Sequence, residues 1–452
     1  MLPARKWMQF EETKNRSERM KITKTYSILF AFFIVALVQN NAVACSMYKI
    51  TVDGKTMVGC NHDTWFSTPR IWFANAKDPN EFGAGFTGAR EVGGNRTAPQ
   101  SGMNEKGLVF SRLVAYHPAQ NDPFPNRLTI GNEVDYLTDI LHKCATVKDV
   151  KNYIEHYDHS VFIDDVFIYI DSSGSYLIVE PYSLIEGNDP SYVLSNFCPS
   201  ITDNEQARKL TRYRNGEDLL RTQKANSSLA YCSALSDTMH VCRSRNGDGT
   251  LITSIWDTKD GSVDLYFYHD FDHSVRFDLS EELAKGDRTL DVSSLFPSNS
   301  EFERLKSYKT PVNTPALRLF LMALAGLLAF FIFLLSLAAI RGKGTEITLT
   351  NTVLIAALSV SLIGYLFVLA THVNIFYFDA PYKHYNSDLV SASSYIPFLL
   401  LLAIVPISSF TRRRLASPST RGWVKAILVA NNVIYLILII GFGYWGLYSV
   451  WN

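Results

Sequence analysis

The chain has 452 residues, enough for a catalytic domain and a second segment. Lysine plus arginine and aspartate plus glutamate both number 43, so the formal net charge is zero and a basic nucleic-acid-binding protein is excluded. With 47% hydrophobic and 19% charged residues, the composition also excludes a mainly disordered chain and suggests membrane segments. Six cysteines are too few for a disulfide scaffold of this length.

Residues 1–44 have the layout of a secretory signal peptide. Two lysines precede an apolar run at 28–38, which is short for a bilayer span, and a later Ala-Val-Ala is a typical cleavage site. Residues 1–19 are either an upstream mis-start or a long extension of the signal. Cleavage after Ala44 makes Cys45 the first residue of the exported chain. An uncleaved anchor and a lipoprotein acylated on that cysteine are the alternatives.

Four apolar stretches follow one another in the C-terminal third. They are 316–340, 347–371, 391–410 and 426–451. Each is about long enough to cross a bilayer, and none contains a charged residue after Arg318. The positive-inside rule places the basic loops in the cytoplasm and the region before the first stretch outside. Because the spans are uncharged, an anchor or partner-binding bundle is favoured over a transporter.

Residues 45–285 have the pattern of an exported α+β domain, and 286–315 of a polar linker. Short apolar runs alternate with turn signals and surround a few helical patterns, which predicts a largely antiparallel sheet. The predicted strands are 47–52, 56–60, 107–113, 165–170, 176–179, 192–194, 251–256 and 263–268. The predicted helices are 131–142, 147–155, 205–214 and 218–223.

The first two strands form a predicted hairpin around the Asp-Gly at 53–54. An Asp-Gly pair between alternating runs is typical of a type I′ turn, whose two-residue loop sets the pairing of the strands. Met47 then lies opposite Cys60, and Cys45 opposite His62. Because opposed residues share a face of the sheet, Cys60 and His62 are expected to flank the Cys45 side chain.

A cysteine at the N-terminus carries both a nucleophile and a general base. A thiol attacks as its thiolate, whose pKa is about 8.5, and an α-amino group has a pKa of about 7.7–8.0. Catalysis also needs N–H donors that stabilise an oxyanion and a carboxylate that orients the amine. Asn196 is suited to the first role and Asp63 to the second. Asn61 and Asp63 alternate with Cys60 and His62, so they point to the other face unless the strand ends or bulges there.

At these residues the chain resembles the N-terminal-nucleophile hydrolases with a cysteine nucleophile, in the group of choloylglycine hydrolase, penicillin V acylase and the isopenicillin-N acyltransferase-like linear amide hydrolases. The order of several short matches between about residue 45 and residue 280 carries the resemblance. The matches are Cys45-Ser46, Gly59-Cys60-Asn61-His62-Asp63, Gly102-Met103-Asn104-Glu105-Lys106-Gly107-Leu108, Asp171-Ser172-Ser173-Gly174 with Val179-Glu180, Val193-Leu194-Ser195-Asn196 and Thr211-Arg212-Tyr213.

The resemblance implies a four-layer αββα sandwich and cleavage, or acyl transfer, at a linear amide C–N bond. Cys45 would be the nucleophile, with its own amine as the base. Asp63 would position that amine, and Asn196 would help to hold the oxyanion. The Thr-Arg-Tyr segment resembles one that carries a site arginine, which makes Arg212 a further candidate.

The chain departs from the family at two places near the nucleophile. Cys60 stands where the family usually has an arginine, which removes a cation that would favour the thiolate; either His62 or Arg212 is expected to compensate, or activity is weak. Tyr116 is the closest polar aromatic residue to the position of a second oxyanion donor. The expected neighbours of the site are therefore Cys60, Asn61, His62 and Tyr116.

No spacing of histidine, cysteine and aspartate resembles a zinc site, so neither a metal nor another cofactor is predicted. The two His/Asp pairs at 269–273 are expected to be solvated. Cys232 and Cys242 are the first pair to consider for a disulfide.

The sequence thus predicts an exported hydrolase that cleaves linear amides of small acylated molecules through a thioester acyl-enzyme. It would be a multi-pass protein of the inner membrane with its catalytic domain on the periplasmic side. An acyltransferase, a degenerate ligand-binding sensor coupled to the membrane bundle, and a transporter are the alternatives; the cysteine at position 60 favours the sensor. The expected partners are the acylated substrate, the bilayer, and a second copy or membrane partner through the bundle, but not nucleic acid.

Overall fold

The structure is a computed structural model that describes residues 45–93, 96–121, 124–242, 249–341, 349–377, 380 and 388–449. The signal peptide predicted at 1–44 lies outside these residues, so its cleavage stays a prediction. The chain divides into two compact units with a boundary between Tyr308 and Lys309. We call the described residues before this boundary the N-terminal unit and those after it the C-terminal unit.

Two antiparallel sheets form the centre of the N-terminal unit. In chain order its strands are β1 (Ser46–Val52), β2 (Lys55–Thr64), β3 (Arg70–Ala74), β4 (Ala84–Gly88), β5 (Arg90–Glu91), β6 (Thr97–Ala98), β7 (Ser101–Asn104), β8 (Val109–Val114), β9 (Asp165–Ile170), β10 (Tyr176–Val179), β11 (Leu184–Gly187), β12 (Ser191–Leu194), β13 (Gly249–Asp257), β14 (Ser262–Phe267), β15 (Asp270–Asp278) and β16 (Arg288–Asp291). The first sheet has the order β12-β1-β2-β13-β14-β15. The second has the order β11-β10-β9-β8-β7-β4-β3-β16, and β5 pairs with β6.

Helices cover the outer face of each sheet. In chain order those of this unit are α1 (Glu133–Lys143), α2 (Val147–Ile154), α3 (Asn204–Ala207), α4 (Thr211–Thr222), α5 (Leu229–Met239), α6 (Leu279–Leu283) and α7 (Ser300–Ser307). Helices α4 and α5 pack on the first sheet around Tyr48 and Leu235, and α1 and α2 on the second around Phe110 and Leu137. Each such fully buried side chain contributes roughly 1.5–3 kcal/mol.

The inner faces of the two sheets meet. The Ser101 and Ser254 hydroxyls, one from each sheet, are 2.9 Å apart, and the buried Lys49 ammonium donates a 2.5 Å hydrogen bond to the Gly174 carbonyl. The order of layers is therefore helix, sheet, sheet, helix. This confirms the predicted αββα sandwich.

The first hairpin forms as its turn sequence predicts. Asp53 and Gly54 both have positive φ, +51° and +70°, as a type I′ turn requires. Met47 lies opposite Cys60, which confirms the predicted register. Strand β13 pairs with the other edge of β2 and brings Thr250 opposite Asp63.

Several elements differ from the sequence-based expectation. Helices α5 and α6 and strands β3, β4, β5, β6, β7, β11, β15 and β16 are additional, and the predicted helix at 205–214 is divided between α3 and α4 by a turn at 208–210. The predicted linker at 286–315 contributes β16 and α7 to the N-terminal unit. The sequence did not predict strand β7, because it is short and its residues are mostly small. In the structure it pairs with β4 and β8.

Two expectations about side chains are wrong. Cys232 is a fully buried residue of α5, Cys242 is exposed, and no disulfide joins them in the structure. The side chain of His269 was expected to be solvated but is only 10% exposed, whereas that of His273 is 60% exposed as expected.

The described part of the C-terminal unit has four helices that are long and apolar enough to cross a membrane. Its helices are α8 (Pro315–Arg341), α9 (Leu349–Thr371), the short α10 (Asp388–Ser393), α11 (Ile396–Ala416) and α12 (Gly422–Tyr444). The Asn432 amide donates to the Thr411 hydroxyl over 2.7 Å and accepts from the Ser408 hydroxyl over 2.9 Å. This asparagine therefore joins α12 to α11, the helix-linking role expected for an amide in an apolar span.

Candidate active site

Cys45 lies at the open end of the β1–β2 hairpin, directly before the first residue of β1. The pairing of Ser46 with Asn61 and of Met47 with Cys60 carries the chain to this point in the predicted register. Cys45 is 3% exposed, and its φ of +67° lies in the left-handed region. For a residue other than glycine this conformation costs roughly 1–3 kcal/mol and is most often found at functional sites.

Three separate segments contact Cys45. The thiol donates to the Asp63 carbonyl oxygen at the end of β2 over 3.8 Å, and Gln100 Nε2, just before β7, donates to Sγ over 3.5 Å. The Ser195 hydroxyl, just after β12, donates to the Cys45 carbonyl oxygen over 3.2 Å. Both sheets therefore contribute to the surroundings of this one thiol.

Both carboxylate oxygens of Asp63 accept hydrogen bonds. Arg212 Nη1, in the first turn of α4, donates to Oδ2 over 2.8 Å, and the Thr250 hydroxyl, in β13, donates to Oδ1 over 2.5 Å. The Asp63 and Arg212 side chains are 3% and 7% exposed. A buried carboxylate with both oxygens engaged has little rotational freedom, so the carboxylate of the residue whose backbone contacts Cys45 is rigidly oriented.

Asn196 lies one residue beyond the serine that contacts Cys45. Its Nδ2 donates to the carbonyl of Val114, the last residue of β8, over 2.7 Å, and its Oδ1 accepts from the Ser195 hydroxyl over 3.4 Å. An amide nitrogen has two protons, and this bond uses one of them. The structure thus brings Asn196 to the same end of the sandwich as Cys45.

Cys60 and His62 lie on the face of β2 that points between the two sheets. The Cys60 thiol is close to three serine hydroxyls, those of Ser101, Ser111 and Ser254, and its burial raises its pKa to about 12. Burial, together with the charges of Arg112 and Arg90, lowers the pKa of His62 to about 3. This imidazole is therefore neutral at physiological pH and does not replace a cation beside the nucleophile, whereas Arg212 is the cation that the structure provides.

Two of the expected site neighbours are placed elsewhere. The Asn61 amide donates to the Ser236 carbonyl over 2.8 Å and accepts from the Thr253 hydroxyl over 2.8 Å, so it faces α5. This follows from the alternation of side chains along β2. Tyr116 is 55% exposed, because β8 ends two residues earlier and the chain runs out to the surface.

Burial raises the pKa of the Cys45 thiol to about 12. The negative charge of Asp63 adds to this effect, and the positive charge of Arg212 opposes it. In this uncleaved chain the thiol is therefore protonated at neutral pH. A base next to the sulfur is needed before it can act as a nucleophile.

The structure adds three residues to the site that the sequence did not indicate. Gln100 and Thr250 contact Cys45 and Asp63 directly, and Arg112 supports Gln100 by accepting a 2.5 Å hydrogen bond on its carbonyl oxygen. No local pattern marks Gln100 or Thr250. Each lies in a different strand region from its partner, and only the pairing of the sheets brings them together.

A chain that keeps the Ala44–Cys45 peptide bond is expected to be alkylated at Cys45 only at high pH. Since the pKa is about 12, the thiolate fraction at pH 7 is about one in 10⁵, and it rises about tenfold with each pH unit up to about pH 11. The measurement is the rate of iodoacetamide labelling of the Ala44→Leu variant, read by peptide mass. The control is the labelling rate of the same chain in denaturant, which should level off near pH 9. If the labelling rate of the native chain also levelled off near pH 9, the burial of this thiol would be contradicted.

No family model matches the chain, and no curated protein sequence matches it. Solved structures do. A variant of conjugated bile acid hydrolase from Clostridium perfringens is 17% identical, with 57% of this chain and 99% of that chain covered and a TM-score of 0.44. Penicillin V acylase from Agrobacterium tumefaciens is 16% identical, with 55% and 91% covered and a TM-score of 0.43. An N-acylethanolamine-hydrolyzing acid amidase ortholog from Caenorhabditis elegans is 12% identical, with 47% and 92% covered and a TM-score of 0.33.

Proposed function

We propose that the N-terminal unit is an amide hydrolase whose nucleophile is Cys45, made active by cleavage after Ala44. The observation that carries the proposal is the convergence of Asp63, Gln100 and Ser195 on this one cysteine. Its thiol thereby contacts an N–H donor and the backbone carbonyl of Asp63, whose carboxylate is held by Arg212 and Thr250. These are the groups that an acyl transfer needs around its nucleophile.

Cleavage after Ala44 would change Cys45 in two ways. It turns the peptide nitrogen into an amine whose pKa, about 7.7–8.0, suits a general base at neutral pH. It also removes the constraint behind the φ of +67°, since an N-terminal residue has no preceding carbonyl carbon. The strain of the uncleaved chain, roughly 1–3 kcal/mol, is therefore relieved in the active form.

The reaction would proceed in two stages. The amine accepts the thiol proton, the sulfur forms a bond to the amide carbonyl carbon, and the carbonyl oxygen becomes an oxyanion near the N–H groups of Gln100 and Asn196. The ammonium then donates its proton to the leaving nitrogen as the C–N bond breaks, which leaves a thioester on Cys45. Water attacks the thioester with the amine again as base, and the acid and the free thiol are formed.

Aromatic side chains next to the site residues support an apolar acyl group as substrate. Trp65 and Phe66 follow the end of β2 with ring centroids 5.1 Å apart, and both are half-buried. Phe197 follows Asn196, and its ring meets that of Tyr213 edge to face at 5.0 Å. We therefore propose linear amides of small apolar acids as the substrate class, with water or a second amine as the acceptor.

The basic residues of the C-terminal unit support an extracytoplasmic site. Arg341 ends α8, Arg412, Arg413 and Arg414 lie in the last turns of α11, and Arg421 and Lys425 flank the start of α12. If α8, α9, α11 and α12 all span the membrane, these residues share one side, which the positive-inside rule assigns to the cytoplasm. The unit before α8 then lies on the opposite side, in agreement with an export signal.

Two measurements on the purified full chain test the proposal. Intact-mass analysis should give a chain that begins at Cys45 with an unmodified amine. p-Nitrophenyl decanoate should then release one equivalent of nitrophenolate in a burst and add one decanoyl group to Cys45. A blocked or acylated N-terminus, or a retained Ala44, would refute the proposal. A stable decanoyl-enzyme without turnover of N-decanoyl amides would instead favour a degenerate binding domain, the alternative suggested by Cys60.

A further inference from the structure

A second cluster of reactive side chains lies where β13, β15 and α7 meet. Cys242 pairs through its backbone with Gly249 at the start of β13, His269 directly precedes β15, and Glu301 is in the first turn of α7. The Cys242 sulfur is 3.8 Å from Glu301 Oε2, and His269 Nε2 is 3.4 Å from the same oxygen. All three ligand atoms lie within 4.8 Å of one another.

These separations are close to those of a tetrahedral zinc site. Bonds of about 2.1 Å to nitrogen and oxygen and about 2.3 Å to sulfur place the nitrogen and oxygen about 3.4 Å apart, and the sulfur and oxygen about 3.6 Å apart. The observed 3.4 Å and 3.8 Å differ from these values by at most about 0.2 Å. Thiolate, imidazole and carboxylate are also the three side-chain ligands that zinc uses in proteins.

The second nitrogen of His269 is oriented as in known metal sites. Nδ1 lies 3.1 Å from the Thr250 carbonyl oxygen, which can only accept, so Nδ1 carries the proton. In the neutral ring, Nε2 then has a lone pair that faces the Glu301 carboxylate. A metal ion bound to Nε2 and to the Glu301 carboxylate would take the place of the proton that otherwise joins these two atoms.

The backbone and its neighbours hold this imidazole in place. Tyr268 and His269 are the two residues between β14 and β15, and their φ values of +53° and +48° are those of a type I′ hairpin turn. The ring of His240 stacks on that of His269 with centroids 5.9 Å apart and planes 18° apart, and Phe302 packs on Tyr268. The short turn and these ring contacts together fix the position of the His269 imidazole.

We propose that Cys242, His269 and Glu301 bind a zinc ion, with water in the fourth position. The site has a structural consequence for the active site, because Thr250 belongs to both. Its carbonyl accepts from His269, and its hydroxyl donates to Asp63. By fixing His269, whose Nδ1 donates to the Thr250 carbonyl, the ion would hold the strand end that orients the Asp63 carboxylate.

Metal binding of the full chain in detergent tests this directly. After removal of metal by a chelator and dialysis, zinc should bind with a stoichiometry of one, and cobalt(II) should give the visible bands of a tetrahedral site and a thiolate charge-transfer band. Cys242→Ser should remove the charge-transfer band, and His269→Gln should weaken zinc binding by at least about a hundredfold, the upper end of the loss caused by a missing second-shell partner.

His273→Gln is the matched control, since this exposed histidine lies four residues further along the same hairpin. It should leave zinc affinity and the cobalt spectrum unchanged. The proposal would be overturned if the wild-type chain and all variants bound zinc with equal affinity. It would also be overturned if the wild-type chain bound no zinc at micromolar concentration. A variant that fails to fold is identified by its melting temperature, and Glu301→Gln, on the exposed side of the cluster, then provides the second test. None of these measurements depends on amide turnover.

Discussion

Replacing Cys45 with alanine is expected to lower the rate of amide hydrolysis on the order of 10⁴-fold or more while the fold stays intact. The side chain supplies the atom that attacks the carbonyl carbon, and the loss of a nucleophile removes the covalent route altogether. What remains is the positioning effect of Asp63, Gln100 and Asn196. The measurement is kcat/KM for an N-decanoyl aminocoumarin, with wild-type and variant chains compared at equal concentration and matched melting temperature.

Cys144→Ala is the matched control for removal of a buried thiol. Cys144 is 2% exposed and belongs to the core between the second sheet and α1. Because its loss leaves the Cys45 surroundings unchanged, the rate should stay within about twofold of wild type. If Cys45→Ala keeps more than a tenth of the wild-type rate, Cys45 is not the nucleophile.

Replacing Arg212 with methionine is expected to destabilise the N-terminal unit by about 3–5 kcal/mol. The guanidinium forms a buried 2.8 Å ion pair with Asp63, and its removal leaves a carboxylate in the protein interior without its counter-charge. The measurement is hydrogen exchange of the β1 and β2 amides in the full chain, which reports the free energy of opening of this sheet.

Arg208→Met provides the matched comparison on the same helical segment. Arg208 pairs with Glu217 over 2.6 Å and Asp218 over 2.8 Å, but its side chain is 27% exposed, so the loss should be about 0–1 kcal/mol. The double variant Asp63→Asn with Arg212→Met removes both charges and should regain much of the stability lost in Arg212→Met alone. If Arg208→Met and Arg212→Met lost equal amounts of stability, burial would not be what determines the contribution of the Arg212–Asp63 ion pair.

Local sequence predicted the structure best where short-range geometry decides it. The Asp-Gly turn has only a few compatible conformations, so the pairing of Met47 with Cys60 followed from the turn alone. Side-chain alternation then predicted that Asn61 would face away from Cys60, which the structure shows. Helix α2 was predicted within one residue of its end, and the structure shows that Thr146 and Asp149 fix its start through a capping box.

Elements that depend on distant partners were missed or divided. Strands β3 and β4 pair with each other and complete the second sheet, but their sequences carry weak alternation. Helix α5 is held by packing against Tyr48, whose hydroxyl donates to the Cys232 carbonyl over 2.5 Å. Such contacts join residues more than a hundred positions apart, so no window of sequence contains both partners.

From the sequence alone came the α+β class, the candidate membrane stretches, the first hairpin, and the choice of Cys45, Asp63 and Asn196 as site residues. These depend on composition, on two-residue turns and on the order of short motifs, which are local properties of the chain. Only the tertiary structure decided that Arg212 is the cation paired with Asp63, that His62 is buried and neutral, and that Gln100 contacts the sulfur. The reason is physical: burial and charge at a site are set by sheet pairing and helix packing between segments far apart in the chain.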